Sequence, residues 1–426
     1  MLRHVFLFIA LSGVLFFSSC KPSDKPASDG KIHLSFWHIM NYAGPREVIE
    51  EAVKRFETDH PHCKIDLQTF ENDAYKTKLA VEEASGNTPD IFFTWGGGPL
   101  AERAKAGRLI NLDGWFKSNE WEQRFIGQAL DFCRWEDGIY ALPLDLSAVL
   151  LWCNQRLFQE HGIDYPGTFP ELIAACQSFR KQNITPFALG NMKQWPGAFF
   201  FCYLANRCGG TQLFLDAANG KPGASFADPP FVQAGTYLEQ LLAADAFSTG
   251  FNGMDDAPAR AAFLREDAAM YLMGTWLVAR ILEEKPEFLQ QMRVIPFPVV
   301  PGGKGDPSTV LGGINCAFAV SASCKHPELA CKLLEYLTAD EVVTQWCAIG
   351  RLPALKTTPE QENKLPQITR EALQALREAA SLQPYYDQYL SPRLAVEHKK
   401  TTQHLFSGTM TPQQAATRMA QTTTAQ

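Results

Sequence analysis

Basic clusters are scarce in this sequence. Lysine and arginine total 39 against 46 aspartates and glutamates, the formal net charge is −7, and no basic block exceeds Lys399-Lys400. A nucleic-acid surface shows a basic patch or stripe, so this balance argues against DNA or RNA as a partner. Catalytic signatures are missing too: neither G-x-S-x-G nor H-E-x-x-H occurs, and these mark common hydrolase sites. Without a G-x-x-x-x-G-K-[ST] run, the glycines at Gly96-Gly97-Gly98 and at Gly302-Gly303-Lys304-Gly305 are not phosphate cradles. There is no C-x-x-C and no histidine at metal-ligand spacing, so neither a metal nor a cofactor is expected. Internal repeats, coiled-coil heptads and a second long apolar run are also lacking. What the chain does have is apolar bulk, with 46% hydrophobic residues and 29 Phe, 11 Tyr and 9 Trp. That is the reverse of a disordered composition, and 426 residues suffice for two or three domains.

The amino terminus is the sharpest local feature. Met1-Leu2-Arg3-His4 is a short positive start, and Val5 to Phe17 is apolar except for Ser12 and Gly13. Ser18-Ser19 and Cys20 follow. A basic start, an apolar stretch and small residues before a cut describe a secretory signal. The stretch falls short of the ~20 residues that span hydrocarbon. Small-Ser-Cys also resembles the lipobox of bacterial lipoproteins, which implies acylation of Cys20 and anchoring at a membrane surface. Residues 1–19 are then the signal peptide and 20–31, polar and rich in Pro, Ser and Asp, a lipidated cysteine with a flexible tether. The expected location is the periplasm or the outer face of the cell membrane. Ten cysteines follow Cys20. Export permits disulfides, but Cys133, Cys153, Cys176, Cys316 and Cys347 lie in apolar stretches, where cysteine behaves as a small buried hydrophobe. Mostly free, buried thiols are expected.

Beyond the tether, hydrophobic periodicity alternates between strand and helix. Ile32 to Trp37 and Lys64 to Phe70 alternate as strands, with a helix from Gly44-Pro45 between them whose Val48, Ile49, Ala52, Val53 and Phe56 share a face. A second helix covers Tyr75 to Ser85, and Asp90 to Trp95 is an almost unbroken apolar strand, as expected of a parallel strand covered on both faces. Pro99 to Ala106 is helical again. This order predicts an α/β lobe with a largely parallel sheet. A second region follows, with a buried strand at Asp145 to Asn154 and a capping box at Thr168 and Glu171. Phe187 to Gly190 and Ala268 to Trp276 are further strands, the latter ending in Gly274-Thr275-Trp276. Gly312-Gly313-Ile314-Asn315 reads as a turn before a strand at Cys316 to Val320, and Thr338 with Glu341 as another capping box. Leu365 to Ala380 and Pro412 to Gln421 are helical.

Taken together, these motifs resemble a known family. Leu34-Ser35-Phe36-Trp37, Pro89-Asp90-Ile91 with Trp95-Gly96, Gly138 to Pro143, Tyr271 to Trp276, Gly312 to Asn315 and His326 to Ala330 occur in the order and spacing of the extracellular solute-binding proteins, family 1, of ABC importers, the maltose-binding-protein-like group. The resemblance spans nearly the whole chain after the tether. It implies a two-lobed, periplasmic-binding-protein-like fold of type II, each lobe a mainly parallel sheet flanked by helices, with a hinge between them and a ligand in the cleft. Carried over, residues 32–144 plus 304–345 form the N-lobe and 145–303 plus 346–426 the C-lobe. The implied partners are a carbohydrate and the permease subunits of an importer, the chain acting as a monomer.

The strand pattern locates the ligand independently, because open α/β sheets bind ligands beyond the carboxyl ends of their strands. Those ends are Trp37-His38, Trp95-Gly96-Gly97, Gly190-Asn191 and Gly274-Thr275-Trp276, and Trp195 lies just past the third. An indole offers a face on which a sugar's C–H surface stacks, while nearby polar groups meet its hydroxyls. Burying a hydroxyl without a partner costs roughly 2–7 kcal/mol on a transfer scale. Asp73, Asp145, Asn191 and Asn315 are placed to supply partners, with Gly313 beside Asn315 and Arg351 after Gly350. Each has a plain structural alternative: core packing for the indoles, a helix cap for Asp73, a turn anchor for Asp145, an ion pair for Arg351. Trp115, Trp121, Trp135, Trp152 and Trp346 are assigned to packing. A polyamine or a phosphorylated polyol is the alternative ligand. A surface glycosidase working through two carboxylates and a scaffolding lipoprotein are the alternative functions.

Overall fold

The computed structural model describes residues 29–118 and 120–424; the expected signal peptide and Cys20 lie outside them. Eight strands organise the fold: β1 (Ile32–His38), β2 (Cys63–Thr69), β3 (Ile91–Thr94), β4 (Leu142–Asn154), β5 (Thr185–Ala188), β6 (Ala268–Gly274), β7 (Met292–Ile295) and β8 (Val310–Val320). The helices that matter for the site are α1 (Ala43–Asp59), α2 (Asn72–Ser85), α3 (Gly97–Lys105), α4 (Trp195–Gly209), α5 (Leu277–Glu284), α6 (Asp340–Ala348), the single turn α7 (Tyr386–Tyr389) and α8 (Pro392–Phe406).

The main sheet runs β2-β1-β3-β8-β4-β6-β5. Pairing is parallel at its flanks, between β1 and β2, β1 and β3, and β5 and β6, and antiparallel where β8 and β4 meet each other and their neighbours. The two long strands carry the architecture. All thirteen residues of β4 are buried, as befits a central strand with neighbours on both edges and helices on both faces.

Two apolar cores hang on these strands. Leu142, Leu144 and Leu146 of β4 join Ile314 and Cys316 to Val320 of β8 in the first, together with β1, β3, α1 and Trp346. From Ala148 onward β4 joins Val310 and Leu311 in the second, with β6, α4 and α5. Each strand thus passes from one lobe to the other within two or three residues, and this shared segment is the hinge. Trp346, expected at the start of the return to the second lobe, is fully buried in the first core.

Three local expectations are corrected. Gly312 and Gly313 make no turn but lie inside β8, where a side chain at Gly312 would press on the Ser147 carbonyl and one at Gly313 on the Tyr385 ring. Thr338 does not cap α6; its hydroxyl donates back to the Leu334 and Glu335 carbonyls, and the cap position is Ala339. The helix Pro392–Phe406 was not expected, its polar face masking the apolar stripe of Leu394, Ala395, His398, Leu405 and Phe406. The Thr168–Glu171 capping box is formed in full, and the ten described cysteines are all free and buried.

Candidate functional site

The second lobe presents an aromatic wall. Trp276 ends the turn after β6 and Trp195 opens α4, their rings 6.2 Å apart at 64°. Phe199, one turn along α4, lies 5.6 Å from Trp195 and 5.6 Å from Tyr385. Both tryptophans are part-exposed, whereas Phe199 and Tyr385 beneath them are buried. Gly274 is required here, because any side chain would occupy the space of the Trp276 ring.

The first lobe contributes Trp95, part-exposed at the end of β3 and edge-on to Phe93 at 4.8 Å. The Lys76 ammonium from α2 sits 4.8 Å over its ring and 3.4 Å from Asp73. Burial lowers the Lys76 pKa, against the pull of Asp73. Asp73 is thus an ion-pair partner and not the cap of α2, which is Glu71. Trp37 is mostly buried, tilted on Phe70 at 4.8 Å with Lys78 5.0 Å over its face.

Between the lobes lies a polar centre on the hinge strands. β4 pairs Leu146 with Ile314 but Asp145 with Cys316, which leaves Asn315 as the extra residue of a bulge. A bulge re-aims a side chain, and Asn315 is the one residue of β8 that is not buried. Its amide donates to Asp145 at 3.4 Å. Asp145 also accepts from the Arg351 Nε at 2.6 Å, and Arg351 Nη1 donates to the Tyr42 hydroxyl at 2.7 Å. Both members of the ion pair are buried. Burial works against the Arg351 charge, but Asp145 and Tyr42 outweigh it and raise the pKa above the ordinary range.

Several expected residues are not at the surface of this site. Asn191 is fully buried, its amide donating to Asn252 at 2.6 Å and its oxygen accepting from the Gly197 N–H at 2.9 Å. It anchors the start of α4 and so holds Trp195. His38 is fully buried, its Nδ1 accepting from the Met40 N–H at 3.1 Å, and burial depresses its pKa to about 4. Gly96 and Gly97 both have positive φ, and side chains there would strike the Phe132 and Gln388 carbonyls. They are close-approach residues: Gly96 admits the Phe132 backbone, and Gly97 admits α7 against α3. Asp145 and Arg351 are bound to each other, Gly313 faces Tyr385, and only Asn315 among the expected polar groups is left part-exposed at the hinge. The sequence reading missed Lys76, Phe199, Tyr385 and Tyr42. The aromatic run Pro384-Tyr385-Tyr386 was a usable signal for the third of these. The site has no set of His, Cys, Asp and Glu fit for a metal ion among the described residues.

Known proteins share this fold. A solved structure from work on xylan utilization by the thermophilic bacterium Caldanaerobius polysaccharolyticus superposes with a TM-score of 0.87 at 32% identity, covering 92% of this chain and 99% of that one. A chitin oligosaccharide binding protein superposes with a TM-score of 0.86 at 24% identity, over 93% and 98% of the two chains. In sequence, a multiple sugar-binding protein of Streptococcus mutans is 22% identical over 83% of both chains. An uncharacterized ABC transporter extracellular-binding protein of Pyrococcus horikoshii is 24% identical over 84% of this chain and 82% of its own length. Residues 42–344 match the family described as bacterial extracellular solute-binding protein, and with most of both lobes inside that match, the chain belongs to this family.

Proposed function

We propose that this protein is the substrate-binding lipoprotein of an ABC importer, capturing a sugar or oligosaccharide between its lobes and delivering it to the membrane permease. The observation that carries the sugar reading is the Trp195–Trp276 pair: two part-exposed indoles on a buried aromatic base. Flat apolar faces beside a few polar groups suit a ring that is apolar on its face and hydroxylated at its rim. In this reading Asn315 meets hydroxyls at the hinge, Asp145 and Arg351 position it, and Asp73 with Lys76 line the first lobe. Relatives named as sugar-binding proteins support the same assignment.

Charge pairing weighs against the other ligands. Asp73 is paired with Lys76, Asp145 with Arg351, and Asp387 with Lys399 at 3.9 Å. A polyamine would have to displace internal cations to reach these acids, and a phosphorylated polyol would have to displace acids to reach the cations. The neutral sugar needs neither. Acylation of Cys20 keeps the body at the membrane beside its permease, and the lobes function as one monomer without catalysis.

Calorimetric titration of the mature chain with xylo-, chito- and malto-oligosaccharides tests the reading. Binding of one class is expected, with Trp276→Ala weakening it roughly 10- to 100-fold, the effect of losing one buried aromatic face. No heat across the panel, or turnover of a glycoside, rejects it.

A further inference from the structure

Helix α5 begins immediately after Trp276, belongs to the second core through Leu277, Val278 and Ile281, and reaches across to the other lobe. Its Arg280 donates to the Asn41 side chain at 3.0 Å and lies 3.6 Å over the Tyr42 ring. One turn further on, the Glu283 carboxylate faces the Ala43 N–H at 3.5 Å. That distance is long for a hydrogen bond, so its effect is chiefly that of an anion at a positive helix end. The start of α1 lacks its own compensation: the cap residue Tyr42 makes no side-chain cap bond and no acid occupies the first turn. Glu283 supplies from the second lobe what the first lobe's helix does not supply for itself. Tyr42 is held on its hydroxyl by Arg351 and on its face by Arg280. A chain of contacts therefore runs from Asn315 through Asp145, Arg351 and Tyr42 to Arg280, one turn from Trp276.

We propose that Arg280 and Glu283 are a lobe-closing clasp on the Asn41–Tyr42 loop and the α1 terminus, positioning residues that set how long the Trp276 face stays over the cleft. Neither touches the ligand in this scheme. Losing the clasp lets α5, and Trp276 rigidly attached to it, swing away with the second lobe. Because closure is preset by contacts within the protein, a ligand need supply only the remaining difference between open and closed states. The inference rests on the two-lobed fold and not on which ligand is bound.

The test is inter-lobe distance without ligand. Spin labels are placed at Lys54→Cys on α1 and at Gln240→Cys in the second lobe, both exposed, in a Cys20→Ser chain whose ten other cysteines are buried. Arg280→Gln is expected to lower the closed-to-open ratio roughly tenfold, the effect of one partly desolvated cation–aromatic contact with its hydrogen bond. Glu283→Gln should shift it less and in the same direction, with the melting temperature held in both. Asn41→Ala removes the hydrogen bond from the other side and should reproduce part of the Arg280→Gln shift. Unchanged distance distributions in Arg280→Gln and Asn41→Ala overturn the clasp. A failed sugar titration leaves this result intact, since no ligand enters it.

Discussion

His38 shows how a residue's position along a strand hides its role. It follows Trp37 at the carboxyl end of β1, where ligand contacts gather, yet its ring is enclosed between the Phe36 ring at 5.5 Å and the β2 edge. Burial holds its pKa near 4, and it holds that of His398 near 3. Unfolded histidines protonate around pH 6.5. Between that value and about 4 the unfolded chain therefore binds protons that the folded chain refuses, so stability falls as pH falls through this window. For His38 alone the loss is on the order of 3 kcal/mol by pH 4. Urea midpoints measured from pH 7 to 4.5 should drop, and His38→Asn, whose oxygen can still accept from Met40, should flatten the slope. An equal slope in the variant would mean His38 is solvated. The tryptophan ends of β3 and β6 were legible because an indole next to glycine after an apolar strand has few local uses. Asn191 was not, because its partners Asn252 and Gly197 are set by tertiary contact. Nor was the Asp145–Arg351 pair, whose members are 206 residues apart.

Elements were legible where periodicity was strong. The strands β1, β2, β3 and β6 and the helices α1 and α2 fall where alternation and apolar faces place them. Reading failed where glycine had two meanings. Gly312-Gly313 looks like a turn in isolation, but inside β8 it is the thinning that lets Tyr385 and the β4 backbone approach. At Gly274 the same economy serves the site directly. A methyl group there meets the rim of the Trp276 ring, and that ring is part-exposed and can rotate away. Gly274→Ala should therefore leave the melting temperature within a few degrees while weakening sugar affinity toward that of Trp276→Ala. Isothermal titration beside differential scanning calorimetry separates the two effects. Full affinity in Gly274→Ala would place the sugar elsewhere.

At the scale of the molecule, the two cores are not independent bodies joined by a loop. β4 and β8 supply side chains to both, Leu146 to one core and Ala148 to the other within three residues. Lobes so joined share their hydrogen-bonded ladder, and melting one disrupts the central strands that the other pairs through. A ligand gripped from both sides adds a second coupling. Binding to the folded state alone raises the unfolding free energy by about 2.7 kcal/mol at a free concentration a hundredfold above the Kd. In the proposed site the contacts come from Trp95 in one lobe and Trp195 and Trp276 in the other, so the whole rise is expected in one transition. Urea unfolding followed by tryptophan fluorescence and by far-UV circular dichroism should shift together on adding the sugar that binds in calorimetry. If only one of two separated transitions moved, the sugar would be held by a single lobe, and closure over it would have no part in binding. A joint shift that is lost in Trp95→Ala would show instead that the grip of the first lobe is what makes the ligand a bridge.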